Sequence, residues 1–351
     1  MIFKNKTLFA VLGLGFALAA CGGGNKAQNN PPQQGAAPIQ AANATQILNV
    51  SYDVMRDFYK EFNPLFIKHY QAQGKQVDIQ QSHGGSSKQA LSVANGLKAD
   101  VVTMNQSSDI ELLEKKGLVS KDWQQKLPNH AVPFTSTTVF LVRKGNPKNI
   151  KNWADLTQPD VKLVIANPKT SGNGRYTFLA AYGYALKENA NNHDAAKVFT
   201  QKLFANAVVL EAGGRGATTS FIERKMGDAL ITFENEANLA AQTFGKGEFE
   251  IVYPSYSIAM ESPVAVVNGV ADKKGTAQIA HDYLAHLWSD EAQELAAKLY
   301  LRPSKAEILA KHEARFPKVE TFRANDVFGS WDEIMKTHFA DGGVFDQINK
   351  R

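Results

Sequence analysis

From about residue 46 the chain alternates two hydrophobic patterns. Short runs rich in β-branched residues fall at 47–52, 77–80, 99–104, 135–142, 163–166, 208–210 and 229–232. Between them apolar side chains recur three and four apart. Met55, Phe58, Tyr59, Phe62, Phe66 and Tyr70 show this spacing, which is that of one buried helix face. Asp53 stands between the first run and that helix, where it is expected to end the strand and cap the helix. A second helix is expected around 89–97. Two further runs, 249–253 and 263–267, lead the chain back, and helices are expected over 274–313. Strands alternating with helices predict an α/β fold of parallel βαβ units, with ligands held beyond the carboxyl ends of the strands. No internal repeat of fixed period is present.

The pattern before residue 46 is different. Lys4 and Lys6 precede an apolar stretch at 7–20, too short for a spanning helix and typical of a secretory leader. It ends in Leu18-Ala19-Ala20-Cys21, which resembles the bacterial lipobox. That resemblance implies cleavage before Cys21, a diacylglycerol on its sulfur, usually with a third chain such as palmitate on the new amine, and a stable membrane anchor. Of the 24 residues at 22–45, all but Lys26, Ile39 and Thr45 are Gly, Ala, Asn, Gln or Pro. So little apolar surface cannot offset the entropy of ordering, so a flexible tether is expected.

Composition narrows the function classes. With 44% apolar residues and 20 Phe, the 351-residue chain has enough apolar side chains for a large core. Its single Cys excludes a disulfide scaffold and a Cys-rich zinc site. The 39 basic and 34 acidic residues give +5, and loss of two Lys with residues 1–20 leaves +3. That excess is small and unclustered, so no nucleic-acid partner is expected.

Three small-residue clusters follow predicted strands and precede predicted helices: Ser82-His-Gly-Gly-Ser-Ser87, Lys169-Thr-Ser-Gly-Asn-Gly174 and Gly213-Gly-Arg-Gly-Ala-Thr-Thr219. A helix N-terminus exposes unpaired N–H groups and about half a positive charge, which suits an anion. Glycine lets the anion approach the backbone, and serine adds a hydroxyl donor. One such turn is an ordinary helix cap; three of them on separate βα units can surround one small anion. Other chemistries lack their spacing. No Walker-type G-x-x-x-x-G-K-[ST] occurs, Gly172-Asn-Gly174 lacks the third Gly of a dinucleotide fingerprint, and no His pair shows H-E-x-x-H. His83 lies beside Ser82 and Ser86, yet G-x-S-x-G is absent and no carboxylate pair flanks the clusters.

Several segments resemble the sulfate-binding proteins of bacterial ABC importers: Asn49-Val-Ser-Tyr-Asp53, Ser82-His-Gly-Gly-Ser-Ser-Lys-Gln89, Phe140-Leu-Val-Arg-Lys-Gly-Asn-Pro147, Asn167-Pro-Lys-Thr-Ser-Gly172, Gly213-Gly-Arg-Gly-Ala-Thr218 and Lys336-Thr-His-Phe-Ala-Asp-Gly-Gly343. The resemblance spans about 46–351. It implies a two-lobed type II periplasmic binding fold. Each lobe would be a mainly parallel sheet flanked by helices, with 46–141 and 262–351 in the first lobe and 142–261 in the second. Crossover strands would join the lobes, which close on the ligand. Carried over residue by residue, the resemblance implies anion contacts from the backbone N–H groups of Asp53, Ser86, Gly172, Asn173 and Gly214 and from the Ser171 hydroxyl. Arg215 would orient its local backbone. In the Ile231-Thr-Phe-Glu-Asn235 context, sulfate-binding members carry a Trp that donates to the ligand; Phe233 has no such donor. Phe233 and Gly214 are more similar to the thiosulfate-binding branch, and the soft terminal sulfur of thiosulfate suits an apolar ring.

The resemblance implies a periplasmic, lipid-anchored and monomeric solute-binding protein that passes sulfate or thiosulfate to an inner-membrane ABC permease. No enzyme activity, metal or cofactor is implied. A binding protein for another tetrahedral oxyanion such as molybdate, a sulfate- or phosphate-ester hydrolase and a surface protein meeting another partner are the competing readings.

Overall fold

The computed structural model describes residues 44–243 and 247–349. The expected leader, Cys21 and nearly all of the expected tether lie outside them. Thr45, placed by sequence at the tether's end, instead opens the first strand, in register with Val77 of the neighbouring strand, a position that suits a β-branched residue.

In chain order the strands are β1 (Thr45–Tyr52), β2 (Val77–Gly84), β3 (Val101–Thr103), β4 (Phe134–Arg143), β5 (Leu163–Ala166), β6 (Ala207–Glu211), β7 (Ala229–Phe233), β8 (Phe249–Val252), β9 (Tyr256–Glu261), β10 (Val264–Val266), β11 (Arg302–Pro303) and β12 (Glu320–Arg323). They form two sheets. The first has the order β10-β3-β1-β2, with β3, β1 and β2 parallel and β10 antiparallel at the edge. The second has the order β12-β9-β4-β7-β5-β6, with β7, β5 and β6 parallel. The chain crosses between the sheets three times. The first crossing runs from β3 into β4, whose Thr135–Thr137 pair with β9 and whose Thr138–Val142 pair with β7. The second runs from β9 directly into β10, and the third from β10 back to β11, which pairs with β4.

Helices cover both sheets. All six apolar positions read from the 55–70 periodicity are buried, and Tyr59 of the Arg56–Gln71 helix stacks on Tyr283 at 6.2 Å. The expected first-lobe segment 262–351 divides. Its early part returns to the first sheet through β10. Its later part lies with the second: β12 pairs with β9, and Phe345 packs edge-on against Phe178 and Phe204. These short C-terminal pieces are too small for a core of their own, so Phe322, Phe339 and Phe345 find burial against the second sheet's helices.

β9 is absent from the sequence reading. It lies between two partners, and Ser257, Ile258 and Met260 are all buried, so it lacks the alternation that marks a half-exposed strand. β11 and β12 are short edge strands, and β12 carries Glu320 and Arg323.

Candidate functional site

The turns singled out by sequence all lie at the carboxyl ends of parallel strands. β1 passes into a 3-10 turn, Asp53–Met55. β2 ends one residue before the Ser86–Ala94 helix. β5 and β6 lead to the Gly172–Glu188 and Gly214–Ile222 helices. Each helix has an extended or non-helical residue before it (Gly85, Ser171, Gly213) and no cap from that residue's own side chain. Their first N–H groups are therefore left for other partners.

These four turns meet. Thr170 Oγ1 donates to the Ala212 carbonyl at 3.1 Å, which ties the β5 and β6 turns together. Gly85 sits opposite both: a methyl placed on it would lie 2.8 Å from the Thr170 carbonyl oxygen and 3.2 Å from that of Ala212. A methyl on Gly214 would touch the Asn173 amide and Val54. Asp53, Ser86, Ser171, Gly172, Asn173 and Gly214 thus gather where the two sheets face each other, with Ser86, Ser171 and Asn173 buried. Asp53 does not cap its own helix. Its carboxylate accepts the N–H of Arg215 at 2.9 Å, because the Gly214–Ile222 helix has glycine where a capping side chain would stand. Enclosure pushes the Asp53 carboxyl up, opposed by that N–H and by the Arg215 charge.

Arg215 engages two carboxylates with its guanidinium. It pairs with Asp57 Oδ2 at 2.5 Å and with Glu236 Oε1 at 2.9 Å. Phe233 ends β7, fully buried, with Tyr52 edge-on at 6.5 Å and Tyr176 edge-on at 5.7 Å. Its ring presents no hydrogen-bond donor.

His83 hydrogen-bonds to Ser51 at 2.7 Å rather than to Ser82 or Ser86. Ser51 is fully buried within β1, and partial burial with the nearby Arg56 lowers the His83 pKa to about 4. Ser82 bonds to Gln89 and Ser86 to Asp109, so neither serine has a histidine partner.

Sequence reasoning missed the groups that hold the turns. Asp109 accepts from Ser86 Oγ at 2.5 Å and Ser87 Oγ at 2.8 Å. Arg175, four residues after Ser171, bonds to the Pro168 carbonyl at 3.0 Å and reaches Ser87, with Asp109 at 3.9 Å. Both charges are buried; burial pushes the Asp109 carboxyl up, and Arg175 and its hydroxyl donors pull it down. Lys169 donates to the Phe339 carbonyl at 3.0 Å and to Asp346 at 2.8 Å, fastening the C-terminal tail to the Asn167–Gly172 turn. These partners are distant in sequence, and only the Lys336–Gly343 motif hinted at any of them.

The model of the bacterial extracellular solute-binding protein family matches residues 47–299. The chain belongs to that family. Over 311 residues this solute-binding protein is 58% identical to the thiosulfate-binding protein of Pseudomonas aeruginosa, covering 88% of this chain and 93% of that one. It is 50% identical over 317 residues to the sulfate-binding protein of Escherichia coli K12, covering 90% and 96%. Among solved structures, the sulfate-binding protein SubI from Mycobacterium tuberculosis H37Rv superposes with a TM-score of 0.74 at 31% identity, covering 83% of this chain and 98% of that one. The two-sheet α/β fold is thus that of the type II periplasmic binding proteins.

Proposed function

We propose that this protein captures a fully deprotonated sulfur oxyanion, sulfate or thiosulfate, between its two sheets and delivers it to an ABC permease. The reading rests on one observation: Asp53, Ser86, Gly172 and Gly214 begin helical turns on both sheets, and those turns touch one another. The N–H groups of Asp53, Ser86, Gly172, Asn173 and Gly214, with the Ser171 hydroxyl, would surround the anion. Neutral dipoles at helix N-termini stabilise a dianion without a counter-cation. A shell of donors also disfavours hydrogen phosphate, whose hydroxyl would face a donor. The lobes are read as 46–141 with the returning segment, and 142–261. Cys21 is read as the acylated residue that anchors the protein on the periplasmic side of a membrane.

The sequence difference at Phe233 favours thiosulfate as a ligand besides sulfate. The ring lies between Tyr52 and Tyr176, and an apolar face toward the anion would accommodate a soft sulfur better than a strongly hydrated oxygen.

Thermal unfolding of the purified protein in sulfate, thiosulfate, molybdate and phosphate tests the reading. Sulfate and thiosulfate are expected to raise the melting temperature, since a ligand that binds only the native state stabilises it by mass action. Phe233→Trp is expected to favour sulfate over thiosulfate. Turnover of aryl sulfates or phosphates would instead support the hydrolase reading, and a shift with molybdate alone would move the ligand assignment.

A further inference from the structure

A carboxamide whose oxygen has no hydrogen-bond partner among the described residues lies inside the candidate site. Asn105 follows β3, so it leaves the same carboxyl edge of the first sheet as the Asp53 and Ser86 turns. Its backbone N–H donates to Ser86 Oγ at 3.2 Å. The residue is 2% exposed, and its Oδ1 is buried with no hydrogen-bond partner. Across the cleft it meets Gly172: a methyl placed there would collide first with Asn105 Oδ1 and would also lie 2.6 Å from Cγ and 2.8 Å from Nδ2. The carboxamide therefore stands between two helix N-termini, one from each sheet. Buried polar atoms are nearly always paired, so the unpaired oxygen calls for an explanation, and a carboxamide that turns over when a ligand arrives supplies one.

We infer that Asn105 is a further binding residue for the oxyanion, its Nδ2–H donating to one oxygen. The inference rests on the functional reading above and extends it. There the first sheet offers only backbone N–H groups; Asn105 adds a side-chain donor from that sheet. It also supplies an N–H donor in a site whose Phe233 has none. A carboxamide is nearly symmetric about its last torsion, so a half-turn brings Nδ2 to the anion without moving the backbone, and it adds no charge. Gly172 is required opposite it, because any side chain there would displace the amide.

Calorimetric titration of sodium sulfate and sodium thiosulfate into the parent protein, Asn105→Ala and Asn105→Asp tests this. Alanine removes the donor and is expected to weaken sulfate binding about 10-fold, with the ligand-free melting temperature within about 2 °C of the parent. Aspartate keeps the shape, has no donor and adds a like charge, so a loss of at least about 100-fold is expected. The order Asn, then Ala, then Asp supports the inference. A purely packing role would rank Asp close to Asn and above Ala. That order, or equal affinity in all three, overturns it. A parent that binds neither anion overturns the functional reading itself, which is a separate outcome.

Discussion

Asp53 caps a helix to which it does not belong: its Oδ2 accepts the N–H of Arg215, at the start of the Gly214–Ile222 helix, at 2.9 Å. The bond joins the first sheet to the second and exists only when the two face each other closely. Asp53→Ala is expected to lose a cap of about 1 kcal/mol, all of it from the closed arrangement, and so to weaken sulfate binding about 5-fold. Asp53→Asn keeps an acceptor and removes a negative charge whose pKa burial already raises. It is expected to bind sulfate at least as tightly as the parent. Calorimetry on both variants checks this; a weaker Asn variant than Ala would contradict it.

Gly85 is required by space rather than by backbone angle, since its φ of −57° suits any residue. A methyl there would press on the Thr170 and Ala212 carbonyls, which belong to the other sheet. Gly85→Ala is therefore expected to leave ligand-free stability nearly unchanged and to weaken anion binding at least about 10-fold, because those backbone atoms cannot give way locally. A fall in ligand-free melting temperature with unchanged affinity would contradict this account.

Much of this architecture is legible in the sequence, and the part that is not has a physical cause. β1, β5 and β7 are bounded by turn residues and rich in Val, Ile and Leu, so pattern alone finds them. The small-residue clusters at 82–87, 169–174 and 213–219 are visible because helix N-termini that approach a ligand need small residues. β9 hides because it is covered on both faces. Asp109, Arg175 and Asn105 hide because their importance lies in partners on other elements: Asp109 and Arg175 are 66 residues apart and buried side by side, with no local pattern to announce them.

Arg215 holds two carboxylates of unequal environment. Glu236 is enclosed, with its side chain 1% exposed, whereas Asp57 is 38% exposed. Arg215→Ala strands the buried Glu236 charge and is expected to cost about 3 kcal/mol of unfolding free energy. Asp57→Asn breaks a partly solvated pair and is expected to cost at most about 1 kcal/mol. Urea denaturation of the two variants checks the difference, and similar losses in both would contradict it.

His338 lies among Phe178, Tyr182, Phe328 and Phe339, and its Nδ1 is buried without a hydrogen-bond partner among the described residues. Burial lowers its pKa to about 4 from 6.5. The unfolded chain then takes up a proton near pH 6.5 while the native protein resists until about pH 4. The stability this provides is complete above pH 6.5 and is lost as pH falls through that window, by about 3 kcal/mol in all. His338→Phe is expected to remove this part of the acid sensitivity. Denaturation at pH 7 and pH 4.5 reads it as a smaller drop in the variant than in the parent; equal drops would contradict the assignment.

The central claim is that uncharged donors from both sheets hold one fully deprotonated sulfur oxyanion. Calorimetric titration of the purified protein at neutral pH with sulfate, thiosulfate and phosphate tests it most directly. The account predicts one site per chain for sulfate or thiosulfate and binding of phosphate weaker by at least about 100-fold. Phosphate binding as tight as sulfate, or no heat with either sulfur oxyanion, would contradict it.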